Sequence, residues 1–269
     1  MNISISTGLY YKKNYIEILD LIKKTGAKSI ELFLNQAFEG VSTEDIKKAI
    51  NERGLSIASI HTPLEFIAFP KRESEEYWIN KSCEMARALD AKLIVTHMVL
   101  GEYFEELFQG LDNIHKENLN KYCNKSDIII TTENIPNYTE NKFLGDMDEF
   151  KQYIKKNNIP ITFDVTHCGA SNLPLIETFD EVKEFVKNIH LSDFGNGNEH
   201  KLLGDGELNI KEFLEYLVKE NYQGKITLEL DFENKSRNDI NSLEDAEKRL
   251  RESYLYINNI INLRYENDI

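Results

Sequence analysis

The chain is short of everything that would mark a membrane protein, a disulfide scaffold or a nucleic-acid-binding surface. No apolar run approaches the roughly 18 residues needed to span a bilayer. Strand-like sequence begins at Ile3, which leaves no room for a signal peptide, so a cytoplasmic location is expected. Cysteine is scarce: Cys83, Cys123 and Cys168 are odd in number and form no C-x-x-C pair, which fits reduced thiols. Cys168, beside His167, reads as a buried, inert thiol. Basic residues are in deficit, with 32 Lys and Arg against 46 Asp and Glu. The resulting net charge of −14 argues against nonspecific capture of phosphate backbones or anionic membranes. Low-complexity linkers are absent. So is a G-x-G-x-x-G loop: the first strand runs into Thr7-Gly8-Leu9-Tyr10.

What is present is a repeat of alternating character. The 269 residues, 41% apolar and 10% aromatic, can build one sizeable core, so a single domain over 1–269 is expected, with a frayed tail at about 264–269. Short β-branched runs start near Ile3, Ser29, Leu55, Lys92, Asp127, Pro160, Asn188 and Lys225. They lie about 32 residues apart, the size of one βαβ unit. Between them, amphipathic stretches predict helices over 15–25, 43–53, 74–89, 104–124, 147–157, 179–186, 210–220 and 242–260. Thr43 reads as a helix cap, and Gly26 and Gly54 as helix stops. Eight strand–helix repeats are the arithmetic of an α/β, single-domain (β/α)8 TIM barrel. The stretch 194–209, with four glycines, reads as an ordered excursion over one barrel face without regular secondary structure.

Strand parity points to the chemistry. In the later strands Ile130, Phe163, Ile189 and Leu191 alternate with Thr131, Glu133, Thr162, Asp164, His190 and Ser192, and the strand near Lys225 alternates aliphatics with Thr227 and Glu229. In a parallel barrel the aliphatic parity faces the helices and the other parity points inward. Glu133, Asp164, His190 and Glu229 then converge at the C-terminal mouth, above small polar residues. Three carboxylates cannot share so small a space bare, because desolvation and repulsion would force some to hold protons. A divalent cation relieves that cost.

Histidine placement supports the same pocket. His61, His97, His167 and His190 fall at or just past predicted strand ends, and His200 lies in the long excursion on the same face. Asp164 and His167, three residues apart, bracket one strand end. Glu31, ending the second strand, and Glu65, after His61, are weaker candidates for the site, and exposed salt links are the favoured explanation of both. The loop 62–73, with Pro63, Phe66, Phe69 and Pro70, is a candidate lid.

With these motifs in hand, the sequence resembles the xylose isomerase-like TIM-barrel family over nearly its whole length. The resemblance rests on His61-Thr62-Pro63, Thr96-His97, Glu133-Asn134, Asp164-Val165-Thr166-His167, His190-Leu191-Ser192-Asp193, the run from His200 to Gly206, and Leu228-Glu229-Leu230. It implies one divalent metal ion (Mn, Mg, Co or Zn) held by Glu133, Asp164, His190 and Glu229. It also implies that Glu133 and Glu229 act as acid and base and that His167 meets a substrate oxygen. The implied activity is sugar isomerisation or epimerisation on a small ketose or aldose by proton transfer through an enediolate. The partner would be a small-molecule sugar or sugar phosphate, with free sugar favoured because Lys201 is the one basic residue that stands out. Homo-oligomers are common in barrels of this type.

The endonuclease IV branch of the same family is the alternative. It would add His61, His97, His167 and His200 as further ligands in a three-zinc phosphodiesterase acting on abasic DNA. Asn198 stands where that branch has an aspartate, and the residues after His97 and Glu133 also depart from its pattern. A barrel that binds sugar or metal without catalysis is least favoured, because the glutamate pair is intact.

Overall fold

The computed structural model describes residues 1–63, 74–97, 111–125, 127–136 and 146–262. Eight parallel strands close into a barrel: β1 (Asn2–Ser6), β2 (Ser29–Phe33), β3 (Ser56–His61), β4 (Leu93–Thr96), β5 (Ile129–Glu133), β6 (Ile161–Asp164), β7 (Val186–Leu191) and, last in the chain, β10 (Lys225–Leu228). Each pairs with its sequence neighbour in the barrel, and β10 closes the ring against β1, with Ile3 opposite Ile226 and Ser4 opposite Thr227. A small antiparallel hairpin, β8 (Asp193–Gly195) with β9 (Asn198–Lys201), stands apart from the barrel.

Helices fill the connections: α1 (Tyr15–Thr25), α2 (Thr43–Glu52), α3 (Glu75–Leu89), α4 (Leu111–Tyr122), α5 (Met147–Asn157), α6 (Val165–Ala170), α7 (Leu175–Asp180), α8 (Ile210–Lys219) and α9 (Leu243–Asn262). Their ends follow local chemistry. The Asn14 side chain accepts from the Ile16 N–H to start α1, and Gly26, at φ +93°, stops it. Ser42, not Thr43, caps α2: its hydroxyl accepts from the Asp45 N–H and donates to the Asp45 carboxylate.

The parity expected from sequence is observed. Ile5, Ile30, Leu32, Ile60, Ile94, Ile130, Phe163, Ile189, Ile226 and Leu228 pack into the shell between strands and helices. Phe163, for example, meets Phe179 and Phe213 with ring centroids 5.4 and 6.3 Å apart. The alternate residues turn inward and satisfy one another. Ser4 and Thr227 hydroxyls lie 2.9 Å apart, Thr131 and Thr162 hydroxyls 2.8 Å, and Thr227 donates to Asn188 at 3.1 Å. The barrel is therefore filled by a polar plug, and the charged groups sit on top of it.

Three further expectations are corrected. The helix expected over 179–186 ends at Asp180, and Val186 already begins β7. The six-residue α6 was not foreseen; it forms because Asp164 accepts from the His167 N–H at 2.7 Å and starts a turn directly off β6. The stretch 194–209 contains the β8–β9 hairpin. The candidate lid beyond Pro63, Glu65 and the expected tail at 264–269 lie outside the described residues. Among the described residues no helix is long and apolar enough to cross a membrane.

Candidate metal centre

Strand ends deliver the charged groups. Glu133 and Asp164 are the last residues of β5 and β6, His190 is next to last in β7, and Glu229 follows β10 directly. One ligand-capable atom from each of these four lies within 4.8 Å of the others. His190 Nδ1 is 2.7 Å from Glu229 Oε2, 3.2 Å from Glu133 Oε1 and 3.9 Å from Asp164 Oδ2. Glu133, Asp164 and His190 are at most 1% exposed.

The backbone around them is tied down. Asn134 bridges β5 and β6: its side-chain NH2 donates to the Asp164 main-chain carbonyl at 3.0 Å, and its side-chain Oδ1 accepts the Asp164 N–H at 2.8 Å. Two histidines each commit one ring N–H to a carbonyl group, which can only accept. His167 Nδ1 donates to the Asn134 carbonyl at 2.8 Å, and His61 Nδ1 donates to the Thr62 carbonyl at 2.6 Å. In His61 this leaves Nε2 facing Glu133 at 3.4 Å. His61, His97, His167 and His200 then form a chain of rings at 5.6 to 6.2 Å spacing along the mouth.

Burial and charge crowding shift several of these ionisations. Burial, opposed by His167 and reinforced by Glu133 and Glu229, pushes Asp164 well above the usual carboxylate range. Burial also disfavours the Glu133 anion, but His190, His61 and His97 outweigh it and hold that carboxyl well below its ordinary value. His190 is desolvated too, yet Glu229, Glu133 and Glu31 raise it well above the imidazole range. Against the same desolvation, Asp164, Glu199 and Glu133 lift His167 to about 9. His200 moves the other way, pushed well down by burial and then by Arg237 and His167.

The donor set fits a divalent cation. Both oxygens of Glu133, Asp164 Oδ2, His190 Nδ1 and Glu229 Oε2 are buried and make no hydrogen bond of acceptable geometry. Native interiors rarely leave polar atoms so, and here they face one another. Three oxygen donors and one imidazole suit Mn, Mg, Co or Zn. Two overlapping sets reach outward from the four: His97, Glu133 and His167, and then His167, Glu199 and His200. His61 joins His190 and Glu229 in another.

All eight residues singled out from sequence thus meet at one mouth. Glu31 is a correction. It is fully buried inside the barrel, its Oε2 3.2 Å from His190 Nε2, because β2 continues to Phe33 and places Glu31 on the inward parity. Glu199 was also missed. It adjoins His200 on β9, and Arg237 stands 3.8 Å from its carboxylate. Asn198 turns away: its amide donates to the Asn196 carbonyl, and its oxygen accepts from Ser236. A depression of about 460 Å3, lined by Lys92, Lys187 and Lys225 among others, lies at the strand N-termini, the barrel end away from the cluster.

The family profile described as a xylose isomerase-like TIM barrel matches residues 19–259. An uncharacterized protein of Methanocaldococcus jannaschii, MJ1188, is 23% identical over 94% of this chain and 97% of its own length. Among solved structures, D-psicose 3-epimerase with D-tagatose from Clostridium cellulolyticum superposes with a TM-score of 0.76, at 14% identity, over 97% of this chain and 99% of that one. An AP endonuclease of family 2 from Brucella melitensis gives 0.66 at 14% identity over 86% of this chain and 93% of that one.

Proposed function

Given that the chain belongs to the xylose isomerase-like TIM-barrel family, we propose that it is a divalent-metal-dependent sugar isomerase or epimerase acting on a small ketose, aldose or related polyol. The observation that carries this reading is the buried meeting of Glu133 and Glu229 around His190 Nδ1, with their facing oxygens left unsatisfied. Glu133, Asp164, His190 and Glu229 would hold the metal. When bound, it polarises the substrate carbonyl and stabilises negative charge developing on that oxygen.

The protein's own groups do the rest. One of Glu133 and Glu229 removes the proton from the carbon beside the carbonyl, and the same or the opposite glutamate returns one. Return to the other face of that carbon is epimerisation; return to the neighbouring carbon is isomerisation. Against its burial, Asp164, Glu199 and Glu133 raise His167 toward its protonated form. Its Nδ1–H is committed to the Asn134 carbonyl, so its Nε2–H is the donor for the substrate oxyanion. Asn134 keeps Glu133 and Asp164 in register while protons move.

An uncharged sugar fits better than a sugar phosphate. Lys201 donates its ammonium to the Arg237 carbonyl, and the Arg237 guanidinium is paired with Asp231 at 3.0 Å and lies near Glu199. Among the described residues, both of these cations near His200 are thus already engaged. The reading carries with it a single-domain cytoplasmic enzyme.

A second reading is supported by the two overlapping sets through His97, His167, Glu199 and His200. With Glu199 in place of the displaced Asn198, they can hold further zinc ions for endonuclease IV-like phosphodiester hydrolysis. Solvent exchange separates the two. Metal-loaded protein in D2O should introduce deuterium at the carbon beside the carbonyl of at least one ketose, and E133Q and E229Q should each lower that exchange by at least about 1000-fold. Cleavage of abasic DNA, with no exchange into any ketose or aldose, would overturn the isomerase reading.

A further inference from the structure

Glu31 occupies the floor of the metal centre without belonging to it. Its carboxylate is fully buried, and every polar contact falls on one oxygen. Oε2 accepts from the Ser59 hydroxyl at 2.8 Å, lies 3.2 Å from His190 Nε2, and is 3.5 Å from the Asn188 amide, while Oε1 has no partner. The His190 ring is thereby held at both ends, Nε2 on Glu31 and Nδ1 among Glu133, Asp164 and Glu229.

We propose that Glu31 is the positioning residue of the metal centre: it accepts the His190 Nε2–H, fixes the ring in the tautomer whose Nδ1 lone pair faces the three carboxylates, and makes that nitrogen a stronger donor. This role rests on the metal reading given above. A buried carboxylate without a compensating task is costly, and neither ion pairing at the surface nor helix capping explains one inside a barrel. A carboxylate behind a ligating histidine does explain it, because such a partner orients the ring and raises its basicity. Serine at 59 completes the arrangement by steering Oε2, and not Oε1, toward the ring.

The geometry makes the test clean. In E31Q the amide oxygen can take the Oε2 position and keep the bonds from Ser59 and His190, while the NH2 group replaces the oxygen that has no partner. Only the charge is removed. E31A removes the acceptor altogether and frees the ring. Titration of the apoproteins with Co2+, followed by its visible absorption, and with Mn2+, followed by its magnetic resonance signal, should give a Kd about 10-fold weaker in E31Q and up to about 100-fold weaker in E31A. The E31Q apoprotein should keep the wild-type circular dichroism spectrum and a single cooperative melt, which separates a role at the metal from a loss of the fold. Wild-type affinity in E31Q and E31A would overturn the role of Glu31 and leave the metal reading standing. A wild-type protein that binds neither ion would overturn both.

Discussion

Asp193 is a buried carboxylate that never meets the metal centre, and its removal should be among the costliest single changes in the chain. Oδ1 accepts the N–H groups of Phe194 at 2.9 Å and Leu208 at 3.1 Å; Oδ2 accepts those of Gly204 at 2.9 Å and Gly206 at 3.1 Å. One side chain, 1% exposed, thus closes the loop that carries Glu199 and His200. The approach is so tight that a Cβ on Gly206 would stand 2.2 Å from Asp193 Oδ1, which is why glycine is needed there. In D193N, whichever way the amide turns, two of the four N–H donors face an NH2 group. Hydrogen bonds to a charged acceptor contribute about 1.5–3 kcal/mol each, so losing two costs about 3 kcal/mol or more after the loop relaxes. For a chain of this size each kcal/mol shifts the melting temperature by about 2–4 °C, so calorimetry should record a fall of roughly 6–12 °C. Limited proteolysis should also find a new site between 194 and 208. D205N, which breaks only the surface pair with Arg249, is the control and should shift melting by less than about 2 °C. A D193N protein that melts with the control would refute the reasoning.

Three shorter predictions follow from other buried groups. Burial raises the Cys83 thiol and pushes Cys123 and Cys168 up to about 12, so a thiol reagent at pH 8 should find no fast-reacting cysteine in the native protein and three after unfolding; a fast native thiol would contradict this. His115 bonds Glu75 on one side and the Thr132 hydroxyl, on the outer face of β5, at 2.8 Å on the other. H115A should therefore cost about 2–3 kcal/mol in urea unfolding and leave metal affinity unchanged; loss of metal with unchanged stability would reverse the assignment. Asp164 and His190 are both held above their ordinary pKa without metal, by burial in the first and by Glu229 and Glu133 in the second. Both must be deprotonated to ligate, so metal loading near pH 7 should release at least one proton and affinity should rise with pH. A calorimetric enthalpy that does not vary with buffer would count against it.

The barrel and the four side chains that meet at the centre of its mouth were legible because two simple signals agree. The period of about 32 residues counts the strands, and parity within each strand says which side chains turn inward. Glu133, Asp164 and His190 all sit on the parity opposite Ile130, Phe163 and Ile189, and the helix-facing shell leaves those aliphatics no other direction. The same rule, applied to Ser29-Ile30-Glu31-Leu32-Phe33, places Glu31 inside. A glutamate so close to a strand end reads as solvated, but β2 runs on to Phe33 and carries Glu31 inside.

The β8–β9 hairpin was illegible for a different reason. It has no hydrophobic alternation, and its shape comes from Asp193 gathering distant N–H groups and from Asn238, which holds the Leu202 N–H and the His200 and Asp231 carbonyls. His200 adopts a left-handed φ of +54° there, which no local propensity announces. The six residues of α6 likewise owe their start to the Asp164 carboxylate and not to an amphipathic pattern.

The central claim is that Glu133, Asp164, His190 and Glu229 are the ligands of one divalent cation. Its most direct measurement is elemental analysis of purified protein dialysed against Mn2+, Co2+ or Zn2+, combined with anomalous diffraction to locate the bound ion. The account predicts about one ion per chain, within coordination distance of those four side chains and lost in D164N. An ion-free protein at saturating metal, or an ion seated on other residues with these four bare, would contradict it.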